Sequence, residues 1–209
     1  AQEKDWANLQ RYAQQNAELP KPDKNEKRVV FMGNSITEGW VNTHPDFFKS
    51  NGYIGRGIGG QTSYQFLVRF REDVINLSPA LVVINAATND IAENTGAYHE
   101  DRTFGNIVSM VELAKANHIK VILTTTLPAA AFGWNPAIKD APQKIQSLNA
   151  RIEAYAKANK IPFVNYYQPM VVGENKALNP QYTKDGVHPT GEGYDIMEAL
   201  IKQAIEKAL

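Results

Sequence analysis

The 209-residue chain carries 22 Lys+Arg against 22 Asp+Glu, with 43% hydrophobic and 21% charged residues. It can bury one substantial core, is too short for a second full domain and too apolar for disorder, and concentrates no charge that would attract nucleic acid or an anionic membrane. No apolar run approaches the roughly 18 residues of a membrane span, and the absence of cysteine removes disulfides, thiolate metal sites, iron–sulfur clusters and cysteine nucleophiles.

The start, Ala-Gln-Glu-Lys-Asp, lacks Met and fits a mature end left by a signal peptidase, which favours a secreted or periplasmic location over the cytoplasm; a trimmed start would read the same. Trp6, Leu9, Ala13 and Ala17 recur at helical spacing and predict an amphipathic helix over residues 6–17. A polar, proline-marked linker follows at residues 19–26, so residues 1–27 read as helix and linker and 28–209 as a single domain. Five apolar, β-branched runs then appear, Arg28–Met32, Tyr53–Ile58, Leu81–Ala86, Lys120–Thr126 and Pro162–Tyr166. Helical stripes separate them: Leu67, Phe70, Val74, Leu77; then Phe104, Ile107, Val108, Val111; then Ile145, Leu148, Ile152, Tyr155. A last stripe of Tyr194, Met197, Ile201 and Ile205 ends the chain. Strands alternating with helices of this length predict βαβ units, a parallel sheet and helices on both faces.

In open parallel sheets ligands bind beyond the carboxyl ends of the strands. Gly33-Asn34-Ser35 follows the first run, Gly57-Ile58-Gly59-Gly60-Gln61-Thr62 the second and Thr88-Asn89-Asp90 the third. A long loop with Trp134 follows the fourth, and Asp185 to His188 come after the fifth. All fall on one edge of the sheet. Ser35 at a helix N-terminus is a nucleophile only if a base takes its proton. His188 is the candidate base, and Asp185, three residues earlier, can fix its tautomer. The N–H groups of Ser35 and Gly60 and the side-chain amide of Asn89 are candidate donors to an oxyanion.

Each segment also has a structural reading. The glycine cluster can be a sharp turn or a phosphate cradle, although a cradle predicts a nearby Lys and the following helix offers Arg69 and Arg71 only past its first turn. Asn89-Asp90 can cap a helix, and His188 can be a surface histidine. His44 sits before a proline in the loop after Ser35, within reach of the cleft but with no evident orienting acid. His99 lies in a polar stretch and His118 ends a helix. No metal-ligand spacing occurs, so neither a metal nor another cofactor is expected.

Together these blocks resemble the SGNH hydrolases, the superfamily of GDSL-type esterases and lipases, with the name-giving positions at Ser35, Gly60, Asn89 and His188. The block Phe-Met-Gly-Asn-Ser-Ile-Thr-Glu-Gly-Trp is similar to the family's nucleophile block, Ala87-Thr-Asn-Asp to its asparagine block and Asp185-Gly-Val-His-Pro to its terminal block. The resemblance covers nearly all of the chain from residue 28 onward. It implies a flavodoxin-like α/β/α sandwich of five parallel strands ordered 2-1-3-4-5, and a metal-free ester hydrolase with an acyl-enzyme intermediate. The subgroup of platelet-activating-factor acetylhydrolase-like proteins and carbohydrate acetylesterases is the most similar. Two positions depart from the family pattern: Asn34 stands where aspartate is usual and Ala87 where glycine is usual.

Trp40 and Trp134 are candidate substrate contacts, since indole faces stack on sugar rings. Trp40 reads equally as packing for the first helix, and Trp134, on the long Ala129–Asn135 segment, is preferred. No run of large aliphatic residues suggests a deep acyl tunnel, which favours acetyl or another short acyl group on a carbohydrate or small-molecule ester. The alternatives are a lysophospholipase or thioesterase for longer chains, and a non-catalytic glycan-binding protein on the same fold. Oligomeric state is not legible.

Overall fold

The computed structural model describes residues 4–209; the expected processed end at residues 1–3 lies outside them. Strands β1 (Val29–Gly33), β2 (Tyr53–Gly57), β3 (Leu81–Ile84), β4 (Lys120–Thr124) and β5 (Phe163–Val164) form a parallel sheet ordered β2-β1-β3-β4-β5, as the family resemblance implies. Successive strand side chains alternate between the two faces, and helices cover both. On one face Val30, Met32, Val82 and Ile84 pack against α4 (Ser63–Asp73), α6 (Glu100–Ala116) and α7 (Ala141–Ala158). On the other, Val29, Phe31, Leu81 and Val83 meet α2 (Ser35–Thr43), α3 (Pro45–Asn51) and α9 (Gly191–Ala208). The chain leaves β1 on one face and its neighbour β3 on the other. The resulting crevice at the carboxyl ends of β1 and β3 is where such sheets place ligands.

A single turn, α5 (Thr88–Ile91), follows β3, and another, α8 (Tyr167–Met170), follows β5. A two-stranded antiparallel ribbon, β6 (Val171–Val172) and β7 (Ala177–Leu178), fills the irregular stretch before α9. Among the described residues no helix is long and apolar enough to cross a membrane.

The sequence stripes hold best for α9, whose four marked residues are all buried. In α4 the phase is displaced: Leu67 is half-buried, whereas Phe66, Arg69 and Asp73 face inward. The reason is a buried ion pair, Arg69 Nη1 to Asp73 Oδ2 at 2.9 Å, which an apolar periodicity cannot register. The expected helix over residues 6–17 is also corrected. A 3₁₀ turn at Leu9–Arg11 and a short α1 (Ala13–Glu18) meet at Tyr12, and Ala7 and Tyr12 are buried while Trp6, Ala13 and Ala17 are exposed. This segment docks through hydrogen bonds, among them the Tyr12 hydroxyl to the Gly57 carbonyl, rather than through an apolar stripe.

Candidate active site

Ser35 is the first residue of α2. The Asn34 side-chain oxygen accepts the Ile36 N–H at 3.0 Å and so caps the helix where it leaves the strand. Its amide nitrogen is buried without a partner among the described residues, a donor that the usual aspartate would not carry. Gly57 lets β2 approach this turn, because a Cβ there would stand 2.3 Å from the Glu38 nitrogen and 2.6 Å from the Asn34 carbonyl oxygen. Past Gly57 the chain folds over Ser35: a Cβ on Gly59 would lie 3.7 Å from the Ser35 Cβ. Gly60 takes φ +77°, the left-handed region that only glycine enters freely.

Asn89 sits on α5, which Ala87 enters at φ 88°, a conformation that costs a non-glycine residue roughly 1–2 kcal/mol. That strain accounts for glycine being usual at this position. The Asn89 amide nitrogen donates to the Gln61 carbonyl at 2.9 Å, which fastens the asparagine turn to the glycine turn. Asp90 adds a second fastening: its buried carboxylate accepts the Ser63 N–H at 2.9 Å, the Ser63 hydroxyl, and the Thr103 hydroxyl at 3.1 Å. Burial pushes the Asp90 carboxyl up, opposed by those hydrogen bonds. Among the described residues, the N–H groups of Ser35 and Gly60 have no hydrogen-bond partner. The second hydrogen of the Asn89 amide likewise has no partner among the described residues.

Across the crevice, Ser35 Oγ lies 2.9 Å from His188 Nε2, although 153 residues separate them. His188 Nδ1 is 2.6 Å from Asp185 Oδ2. The other Asp185 oxygen accepts the N–H groups of Val187 at 2.9 Å and His188 at 2.8 Å, and Thr183 Oγ1 donates to the His188 carbonyl at 2.8 Å. Partial burial alone would raise the Asp185 carboxyl; the His188 N–H, the His188 ring and the Val187 N–H outweigh it and hold the group at about 2. The carboxylate thus stays charged and fixes the imidazole with Nε2 toward the serine. This is the geometry in which an imidazole can take a hydroxyl proton.

The site is open, the His188 and Asp185 side chains being 39% and 54% exposed. Trp134 stands at its rim, 47% exposed, its ring centroid 6.2 Å from that of His188. Its indole N–H donates to Asn94 Oδ1 at 2.8 Å, and the Asn94 amide donates to the Gly60 carbonyl at 3.0 Å. Buried Phe132, and Asn135 bound to the Ala92 carbonyl at 2.9 Å, anchor the loop on either side.

Trp40 is corrected as a substrate contact. It is 2% exposed, stacks on Tyr194 and Phe47 at 5.6 Å each, and gives its N–H to Glu198 Oε1 at 3.0 Å, so its face belongs to the core. His44 does have an orienting acid, since its Nδ1 lies 2.6 Å from Glu198 Oε1. Exposed Asp195 stands beside them, and these three side chains bring possible ligand atoms within 4.8 Å of one another. Arg69 holds Gln61 Oε1 at 2.7 Å and the Gly33 carbonyl at 2.9 Å, which makes it a buried strut rather than a phosphate ligand. Sequence reasoning missed Asn94, Thr183 and Glu38. Only Glu38 had a signal, one helical turn past Ser35 on the same side of α2.

The sequence profile of the GDSL-like lipase/acylhydrolase family matches residues 31–196. The chain belongs to that family. The four GDSL-like blocks at Ser35, Gly60, Asn89 and His188 all lie within the matched span. The chain is 91% identical to a candidate acylhydrolase from Bacteroides fragilis NCTC 9343, whose solved structure superposes with a TM-score of 0.98 over 99% of each chain. It is 86% identical to a GDSL-like lipase from Bacteroides thetaiotaomicron VPI-5482, with a TM-score of 0.97 over 97% of this chain and 99% of that one. It is also 32% identical over 117 residues to the uncharacterized lipoprotein YqeF of Bacillus subtilis (strain 168). That match takes in 48% of this chain and 48% of the relative, so the chain spans about half the length of the curated relative it matches.

Proposed function

We propose that the protein is a serine esterase that removes an acetyl or other short acyl group from a carbohydrate or small-molecule ester. The observation that carries this reading is the continuous chain Ser35 Oγ, His188, Asp185 at 2.9 and 2.6 Å. Ser35 Oγ attacks the ester carbonyl as His188 Nε2 takes its proton. The oxyanion forms against the N–H groups of Ser35 and Gly60 and the Asn89 amide, while Asp185 stabilises the imidazolium. His188 then protonates the leaving alkoxide, and the acyl group remains on Ser35. Water then gives a proton to His188 as its oxygen attacks the acyl carbonyl, and collapse of that second tetrahedral state releases the carboxylic acid while His188 returns the proton to Ser35 Oγ.

The pH profile follows from these charges. The Asp185 carboxyl is held at about 2, so it is ionised in any usable buffer and loses its charge only as the pH falls toward that value. A protonated imidazole cannot accept the serine proton, so kcat/KM falls on the acid side through one proton only. We expect a slope of about 1 in log kcat/KM; a slope near 2 above roughly pH 4 would mean that Asp185 titrates there too.

The open rim and the exposed Trp134 face favour a bulky alcohol portion such as a sugar. Export fits the same reading, since the Bacillus relative is named a lipoprotein. The test compares an acetylated sugar, a simple alkyl acetate and an octanoyl ester with wild type and Trp134→Ala. The variant is expected to lose about fivefold in kcat/KM on the sugar, the worth of one aromatic contact, and almost nothing on the alkyl acetate. A steep rise from acetyl to octanoyl would transfer the protein to the lysophospholipase or thioesterase reading. No turnover together with polysaccharide binding would make it a binding protein.

A further inference from the structure

The segment before residue 28 lies outside the family match, yet it reaches the turn that carries the Gly60 N–H. The Tyr12 hydroxyl donates to the Gly57 carbonyl, and Gln61 Nε2 donates to the Ala7 carbonyl at 2.7 Å. Between these two anchors, Gly59 N–H donates to Glu38 Oε2 at 2.8 Å, and the other oxygen of Glu38 meets Arg11 Nη2 at 3.3 Å. The Arg11 guanidinium lies 4.5 Å over the Tyr12 ring, and Arg56 covers the same ring at 4.7 Å. Gly59 and Gly60 are exposed and lack side chains, so nothing of their own packs them in place. A peptide plane flanked by two glycines rotates readily, and rotation would redirect the Gly60 N–H.

We propose that residues 7–12 form a brace for this turn, with Tyr12 and Glu38 as positioning residues that fix the direction of the Gly60 N–H. The inference rests on the esterase reading of Ser35. Tyr12 fixes the entry to the turn, the Ala7 carbonyl fixes its exit, and Glu38 fixes the N–H of Gly59, whose carbonyl carbon carries the Gly60 nitrogen. Asn94 holds the next carbonyl from the opposite side. Preorganised donors of this kind stabilise the oxyanion because they need no reorganisation as charge develops. The brace therefore acts on the tetrahedral state and much less on substrate binding.

The test uses the full chain with Tyr12→Phe, which keeps the ring, and with Glu38→Ala and Glu38→Gln. Each is assayed on an alkyl acetate and with a boronic acid that adds to Ser35 as a tetrahedral mimic. Tyr12→Phe and Glu38→Ala are expected to lower kcat about tenfold, a fraction of what removing a whole donor does, with KM within about twofold. The boronate inhibition constant is expected to weaken in step with kcat, and Glu38→Gln, which keeps an acceptor for Gly59, to restore most of the rate. A lowered Tm with unchanged kcat and boronate affinity would reduce the segment to a packing element and overturn the proposal. Full activity in Ser35→Ala would instead remove the esterase reading itself, so the two failures are distinguishable.

Discussion

Ser35→Ala is expected to lower kcat on an activated acetate by about 10⁵–10⁶-fold and to abolish labelling by a serine-directed phosphonate. The size of the effect follows from the arrangement of the three groups. Among the described residues His188 Nε2 meets the Ser35 hydroxyl alone, at 2.9 Å, and its other nitrogen is committed to Asp185. With the hydroxyl gone, the imidazole has no nucleophile to activate, and water held in its place lacks the alignment that the α2 N-terminus gives Oγ. His188→Ala is expected to cost about as much, and the double variant little more, because the two groups act as one unit. Asp185→Asn is expected to retain more, at a loss of about 10⁴-fold. Its amide oxygen can still accept the Val187 and His188 N–H groups, but its NH₂ opposes the ring N–H and selects the wrong tautomer. The measurement is kcat on purified, folded variants beside titration with the phosphonate. A Ser35→Ala protein retaining about a tenth of the wild-type rate would remove Ser35 from the chemistry.

The alternation of strands and helices and the placement of the candidate site residues on one edge were legible from local signals, whereas the strand order came from the family resemblance. Parallel strands announce themselves as β-branched runs, and Ser35, Gly60 and Asn89 follow their strands by a few positions, so the topology carries them to one edge, whereas Asp185 and His188 arrive only after the irregular stretch that follows β5. Ala87 was legible in a weaker sense: its departure from glycine pointed to backbone freedom, and φ 88° is where that freedom is used. Trp40 had two readings at the sequence level, and its burial against Tyr194 and Phe47 decides for packing. The brace of Ala7, Arg11 and Tyr12 was not legible. Its contacts join residues roughly 27–54 positions apart through single hydrogen bonds, which leave no periodicity, and the apolar spacing of Trp6, Leu9 and Ala13 suggested the wrong buried face. The buried pair of Arg69 and Asp73 was not legible either, because an apolar periodicity does not register charges buried together one turn apart.

Asn89→Ala is expected to lower kcat about 10²–10³-fold, equivalent to ~3–4 kcal/mol of transition-state stabilisation, with KM nearly unchanged. The asparagine is 3% exposed, and one of its two amide hydrogens is already bound to the Gln61 carbonyl. The other is the only side-chain donor among the three groups assigned to the oxyanion. It is held in a buried setting, where a hydrogen bond to a full negative charge strengthens more than one to a neutral carbonyl. Truncation therefore penalises the tetrahedral state far more than the bound ester, which is what separates a fall in kcat from a rise in KM. The same truncation leaves the Gln61 carbonyl unpaired and is expected to cost about 1–2 kcal/mol of folding stability, seen as a lower Tm. Asn89→Asp separates the two roles. A carboxylate keeps the size of the side chain but turns both of its polar atoms into acceptors, facing one carbonyl and one developing oxyanion. It is expected to be at least as inactive as Asn89→Ala at neutral pH. If Asn89→Ala raised KM and left kcat intact, the amide would be holding the ground-state ester, and the oxyanion would have to rest on the backbone N–H groups of Ser35 and Gly60 alone.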